Sequence, residues 1–211
     1  MKKLTALRTV LLAAAAAASL SACAPLVVGG AVVGTAMVTT DRRTTGTQVE
    51  DTGIETKATF RIRQALGSRS NINAQAYNRV LLLTGEVRND ADKAEAERIA
   101  AGVENVTRVV NEIQVGFISS LTSRSNDVVL AGKIKATLID ARDLQTNAFN
   151  VVVERGEVYL MGIVTEREAH RATELIRGIP GVKKVVRVLE IISEEELARR
   201  VPARPSAEQS K

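Results

Sequence analysis

The sequence predicts an α+β protein built from two small tandem domains, each ordered αββαβ, with a three-stranded mixed sheet and both helices on one face. Three observations carry this. Residues 79–113 and 156–191 spell the same pattern: Gly85 matches Gly162, Gly102 matches Gly178, and Val106 with Val109 and Val110 matches Val182 with Val185 and Val186. Self-similarity of this length marks a duplicated unit. Each copy reads as a strand, a capped helix and a strand, and such a crossover favours a right-handed connection that leaves the helices on one side. Each copy is also preceded by an apolar stripe at helical spacing. At roughly 60 residues per domain a core is marginal, so two copies packed together are steadier than one.

The first residues set the address. Lys2, Lys3 and Arg8 form a positive n-region, and Val10–Ala18 is too short an apolar run to span a membrane. Residues 1–22 therefore read as a signal peptide. Its ending, Leu20-Ser21-Ala22-Cys23, resembles the bacterial lipobox, which implies that Cys23 becomes the first mature residue and carries covalent lipid. Cys23 is the one cysteine of the chain, so no disulfide framework exists, and lipidation explains a lone thiol in an exported protein. The alternative is an ordinary secretory signal with a chance cysteine. Ala24 follows in place of the Asp associated with inner-membrane retention, so the resemblance implies the outer membrane, facing the periplasm.

In order, residues 23–53 are the lipidated N-terminus and a linker. Within them 26–38 is small, apolar and glycine-rich, too short to cross a bilayer, and reads as lying close to it; 39–53 is polar and turn-rich. The first domain, 54–115, opens with a helix whose stripe is Ala58, Ile62 and Leu66. Strands follow at Asn71–Ala76 and Val80–Thr84, then a helix capped by Asn89 or Asp90, stopped at Gly102 in a left-handed conformation, and a strand over Thr107–Val115. Residues 116–126 link the copies. In the second domain, 127–193, the stripe is Leu130, Ile134 and Leu138, an offset of 72 that makes the following connection five residues longer. Phe149–Val153 and Val158–Met161 pair across Arg155 and Gly156. Thr165 and Glu168 form a capping box, Gly178 and Pro180 stop the helix, and Lys183–Ile192 is the last strand. The glycine offset falls from 77 to 76, which places a one-residue deletion inside that helix. Residues 194–211 form a disordered tail, with a short helix at its start over Glu194–Arg200.

This order, with an apolar-Leu-x-Gly before each second helix and Gly-Val-x-x-Val after the last, resembles the BON domain. The residues TTGTQVED from 44, AYNRVLLLTG from 76, VVNEI from 109, SND from 125 and GEVYLMGIVTEREAHRA from 156 are similar to those of outer-membrane lipoproteins with two BON domains. The resemblance implies a role in envelope integrity, enrichment at division sites, and recognition of anionic phospholipid through the first helix of the second domain. It also implies links to the β-barrel assembly machinery. One departure is Arg79 at the position of Gly156, from which a different hairpin turn is expected. Another is Val129, where the family's helix presents a bulky aromatic.

Leu130, Ile134 and Leu138 should face the sheet. Val128, Val129 and Ile139 then point the other way, beside Lys133 and Lys135, a composition suited to a headgroup boundary. Each lysine is worth about 1 kcal/mol near an anionic surface. A buried valine contributes roughly 1.5 kcal/mol, less than an interfacial tryptophan, so lipid contact should be weaker than in an aromatic-bearing relative. The alternative is that these valines pack on the first domain. Either way the anchor dominates, at about 0.8 kcal/mol per buried CH₂.

Other chemistries find little support. The net charge of +5 falls to +2 without the leader's cations, and aromatics make up 2% with no Trp, which argues against a nucleic-acid partner. His170 is the sole histidine, and without a second histidine or a free cysteine the common nucleophile and metal constellations are missing, so neither a catalytic nor a metal site is expected. Glu166, Glu168 and Glu174 read as solvated helix charges. No phosphate-loop spacing occurs; Gly85, Gly156, Gly162 and Gly178 read as structural, Gly162 permitting close helix–sheet approach. No cofactor is expected beyond the lipid on Cys23. Two functions remain: a lipid-reading module, or a periplasmic adaptor for barrel assembly or cell-wall remodelling.

Overall fold

The structure, a computed structural model, describes residues 41–200. The expected signal peptide, Cys23, the 26–38 stretch and the tail from 201 lie outside them. The first domain runs α1 (Thr45–Leu66), a 3-10 turn (Gly67–Arg69), β1 (Ser70–Tyr77), β2 (Val80–Val87), α2 (Asp90–Ala101), β3 (Arg108–Asn111) and β4 (Gln114–Val115). The second runs α3 (Leu121–Asp140), a 3-10 turn (Thr146–Ala148), β5 (Phe149–Glu154), β6 (Glu157–Val164), α4 (Glu166–Arg177) and β7 (Lys184–Ile191), and α5 (Glu194–Arg200) follows.

In both domains the middle strand pairs antiparallel with the strand before it and parallel with the strand after the helix. The mixed three-stranded pattern is as expected. The third strand of the first domain is interrupted: β3 and β4 hold one register on β2, with Val80 opposite Arg108 and Glu86 opposite Gln114. Between them the Asn111 side chain accepts the Ile113 N–H at 3.2 Å, a local bond that competes with the ladder.

Alternation along the strands builds three cores. Leu81 and Leu83 of β2 pack with Ile54, Ala58, Ile62 and Leu66 of α1 and with Ala96 and Ala100 of α2. Val158, Leu160 and Val164 of β6 pack with α3 and α4 in the same manner. The opposite faces meet each other, since Leu82 and Tyr77 share a cluster with Tyr159, Met161, Ile163 and Val188. The layers therefore run helices, sheet, sheet, helices, and each domain covers the face the other would leave wet.

An aspartate on each first helix sets the register of the repeat. Buried Asp51 accepts the N–H groups of Asn78 and Arg79, both at 2.8 Å. Asp127 accepts those of Arg155 at 2.8 Å and Gly156 at 2.9 Å. The two aspartates stand 76 apart, so Ile54, Ala58 and Ile62 correspond to Leu130, Ile134 and Leu138. The offset of 72 is thus one helical turn out of step, and the second connection is longer by one residue rather than five. The deletion is likewise misplaced. Both second helices have 12 residues, and the extra residue is Arg88, between β2 and the Asn89 cap, where β6 runs straight into Thr165.

Several local expectations change with the coordinates. Residues 45–53 are helix, not linker; Thr44 caps α1 by accepting the Thr47 N–H, and burial of Asp51 and Ile54 outweighs the poor propensity of Gly46 and Gly53. α3 likewise begins inside the expected 116–126 linker, capped by Ser120. The short helix expected at the start of 194–211 is present over Glu194–Arg200, so the disordered tail does not begin at 194, and Leu197 packs on the inter-sheet core. The two hairpins turn alike: Asn78 and Arg79 have φ of 49° and 64°, Arg155 and Gly156 of 54° and 80°, as a type I′ turn requires. Asp51 holds Arg79 in that left-handed state. Gly102 and Gly178 are not left-handed, with φ of −85° and −75°; the positive φ falls three residues later, at Asn105 and Gly181. At Gly162 the close neighbour is the carbonyl that ends the 3-10 turn before β5 rather than α3 or α4, because a Cβ there would lie 2.3 Å from the Ala148 oxygen. Gly85 is tighter, with φ of 107° and the Asn71 oxygen 2.0 Å from a Cβ.

The segment ahead of α1 clamps both domains. Arg42 gives Nη1 and Nη2 to the two Glu168 oxygens at 2.8 Å each, and Nη1 also to the Ile163 carbonyl at 2.8 Å. Arg43 turns the other way, to Asp51 at 2.8 Å and over the Tyr77 ring at 4.0 Å.

Candidate functional site

The outer face of α3 carries the residues singled out for lipid contact. Asp127, Leu130, Ile134 and Leu138 are buried at the spacing of one helix stripe and fix the helix on its sheet. The remaining arc is left to solvent: Val128 is 73% exposed, Val129 58% and Ile139 66%, with Lys133 and Lys135 exposed between them. The valines do not pack on the first domain, which meets the second through its sheet. The alternative in which they do is excluded by their exposure.

Sequence reasoning missed the start of this face. Leu121, in the first turn of α3, is 80% exposed, and Phe117 just before the helix is 95% exposed. Leu121 and Val128 are seven residues apart, hence on one side of the helix. Apolar residues in GFISSL, an otherwise polar stretch, were the available signal. The face thus has apolar tips and two lysines, while Asp127 points inward to the hairpin and Asp140 sits at the far end.

The other flagged groups are structural. Glu168 closes a capping box with Thr165 and is buried rather than solvated. Burial pushes its pKa up, but hydrogen bonds from Arg42 and the Thr165 N–H outweigh that and hold it below the ordinary range. Glu166 pairs with Arg187 at 2.8 Å, and Glu174 lies 3.5 Å from the exposed His170. Among the described residues no group of three or more His, Cys, Asp or Glu is placed to hold a metal, and no helix is long and apolar enough to cross a membrane.

A second surface feature is a groove of about 1020 Å³ between α1 and the outer strands β1 and β5, with Phe60, 66% exposed, among its lining residues. Glu55 and Glu154 also line it, and burial raises the pKa of both.

The BON domain model matches residues 51–116 and 126–193. The chain belongs to the BON-domain family. Its two BON domains are those the fold displays, and both matches take in the aspartate that holds the hairpin. The chain is similar to the outer membrane lipoprotein DolP of Haemophilus influenzae, with 35% identity over 176 residues, covering 82% of this chain and 90% of that one. The 21 kDa hemolysin of Actinobacillus pleuropneumoniae shares 32% over 154 residues, covering 72% and 79%. Osmotically-inducible protein Y of Escherichia coli shares 28% over 148 residues, covering 66% and 72%. The likeness to DolP over most of both chains makes this a two-domain BON protein of the DolP type.

Proposed function

We propose that this protein is an envelope lipoprotein, anchored in the outer membrane through lipid on Cys23 and facing the periplasm, whose second BON domain reads anionic phospholipid. Its work is non-enzymatic support of envelope integrity, at division sites in particular. The observation that carries the reading is the exposed face of α3, where Leu121, Val128, Val129 and Ile139 stand beside Lys133 and Lys135 with no structural task in the fold. Apolar tips enter the headgroup boundary while lysines meet negative lipid, each lysine contributing about 1 kcal/mol. The name of the DolP relative, an outer membrane lipoprotein, supports the location. The anchor decides residence on the membrane, and α3 decides which lipid lies beneath the domain.

Flotation of the mature chain carrying Cys23→Ser, with neutral and with anionic vesicles, tests this. The protein should float with the anionic vesicles alone, and Val129→Glu with Lys133→Glu should abolish it. The groove beside Phe60 favours a second reading, a protein-binding adaptor for barrel assembly or cell-wall remodelling, because β1 and β5 present unpaired strand edges there. No flotation in any vesicle, with a co-purifying envelope protein lost on Phe60→Asp, would favour that reading.

A further inference from the structure

We propose that the chain's own uncharged segment ahead of Asp41, residues 32–38, docks in the groove beside Phe60 and pairs antiparallel with the open edge of β5. The groove, about 1020 Å³, runs between α1 and the stacked edge strands β1 and β5, and Phe60, Ile72, Ala74, Val151 and Val153 help to line it. Among the described residues β5 pairs with β6 alone. Glu154 and Glu157 flank the two-residue turn as a hydrogen-bonded pair, so alternation turns the amides and carbonyls of Val151 and Val153 away from β6. The strand lacks the usual guards of an edge: FNVVVE has no proline or lysine, and its one charge, Glu154, is held by the Asn73 amide at 3.2 Å. β1 differs. By the same alternation Ala76 faces outward, and its N–H is already taken by Glu55 of α1 at 2.8 Å. The edge that wants a partner is that of β5.

The described chain begins where such a strand would leave the groove. Arg42 donates to the Ile163 carbonyl at 2.8 Å and to the Gln145 side chain at 3.4 Å. Ile163 stands one residue beyond the pair of Gly162 with Phe149, and Gln145 precedes the 3-10 turn that leads into β5. Arg43 lies over the ring of Tyr77, the last residue of β1. Asp41 therefore sits at the end of the sandwich from which β5 starts. A chain followed backward from it along that edge meets Phe149 first and Val153 last, so it runs antiparallel to β5, a pairing that needs no crossover.

The segment's composition suits the place. Residues 24–40 hold no charged side chain, and 32–38, VVGTAMV, is rich in β-branched residues and small or apolar at almost every position. Tethered a few residues from the groove, it meets β5 at an effective concentration on the order of mM, above that of a second copy in dilute solution. Docking also sets the length of the tether. Residues 23–40 span at most about 60 Å when extended, whereas with 32–38 paired only 23–31 remain, at most about 30 Å. With lipid on Cys23, the docked form keeps the second domain close to the bilayer. The docking itself is independent of the reading of α3, because a chain without lipid keeps both the segment and the groove.

The mature chain carrying Cys23→Ser serves for the test, with amide hydrogen exchange followed by NMR. Val151 and Val153 should exchange at least tenfold more slowly than in the same chain carrying Ala36→Pro with Met37→Pro, since one of two successive prolines must fall at a position that donates to the ladder. The Val152 amide, bonded to β6, should exchange alike in both, and because the prolines lie ahead of both domains the Tm should change little. A nitroxide on Met37→Cys should broaden the Ile72, Val151 and Val153 amides and leave Val129 and Lys133 on α3 sharp. Equal exchange in the two chains, or no broadening at the groove, overturns the proposal and leaves the groove to a partner protein. Mixing a nitroxide-bearing chain without isotope with an isotope-labelled chain without nitroxide looks for a second copy: groove broadening in that mixture also overturns it. Vesicle flotation of the parent reads α3 separately. Chains that float with no exchange contrast defeat this inference alone, and chains that never float while the contrast holds defeat the membrane reading alone.

Discussion

Arg42→Met removes the cation that holds Glu168 and, with it, the bond between the segment ahead of α1 and the second domain. The two side chains are 1% and 4% exposed, so the variant leaves a carboxylate dry and without its partner. Breaking a buried pair from one side costs about 3–5 kcal/mol. Glu168 keeps the Thr165 N–H at 3.0 Å, which favours the lower end, about 3 kcal/mol. For a folded unit of this size the Tm should fall by roughly 6–12 °C. The loss should depend on pH. With Arg42 present the Glu168 pKa lies below the ordinary range, so its contribution is full above the unfolded value and fades as pH falls through the folded one. Without Arg42, burial alone raises that pKa, and the variant takes up its proton earlier. The gap in stability is therefore widest at neutral pH, narrows as the Glu168 carboxylate takes up its proton and closes in acid. Adding Glu168→Gln to Arg42→Met should recover about half the loss. Urea denaturation of the four members of this cycle, at neutral pH and in acid, reads every term. A loss under about 1 kcal/mol, or one that does not change with pH, would refute the reasoning.

Two glycines of the repeat should respond in opposite ways. Gly85→Ala places a Cβ on the Asn71 carbonyl at a φ of 107° and should cost upward of about 3 kcal/mol by thermal denaturation. Gly178→Ala meets nothing closer than 3.5 Å at a φ of −75° and should be neutral or stabilising by up to about 1 kcal/mol. Burial, then the neighbouring Glu86, raises the pKa of Glu154, so its charged form opposes folding at neutral pH. Glu154→Gln should raise the Tm at pH 7, and the gain should vanish in acid, where the wild-type carboxyl is already protonated.

The duplication, the strand order and the capping box were legible because glycines, valine pairs and Thr165 with Glu168 recur at fixed spacing. The alignment of the first helices was not. Leucine and isoleucine recur at every turn of a helix, so a stripe can be matched one turn out, whereas the buried Asp51 and Asp127 admit one register. Asp51 fell in a presumed linker and Asp127 at the first residue of the second domain, and nothing local shows that either reaches across to a hairpin. Gly102 and Gly178 end their helices without positive φ, because the chain turns three residues later, at Asn105 and Gly181. The exposure of Val128, Val129 and Ile139 was legible from helical periodicity. That of Phe117 was hidden by its place in a presumed linker.

Because Cys23 is the sole cysteine, one probe can be placed on the Cys23→Ser chain without competition. An environment-sensitive fluorophore on Val128→Cys should shift to shorter wavelength with vesicles containing phosphatidylglycerol and stay unchanged with neutral vesicles, while the same probe on Phe60→Cys should respond to neither. A response at residue 60 with none at residue 128 would contradict the assignment of α3 as the helix that meets the membrane.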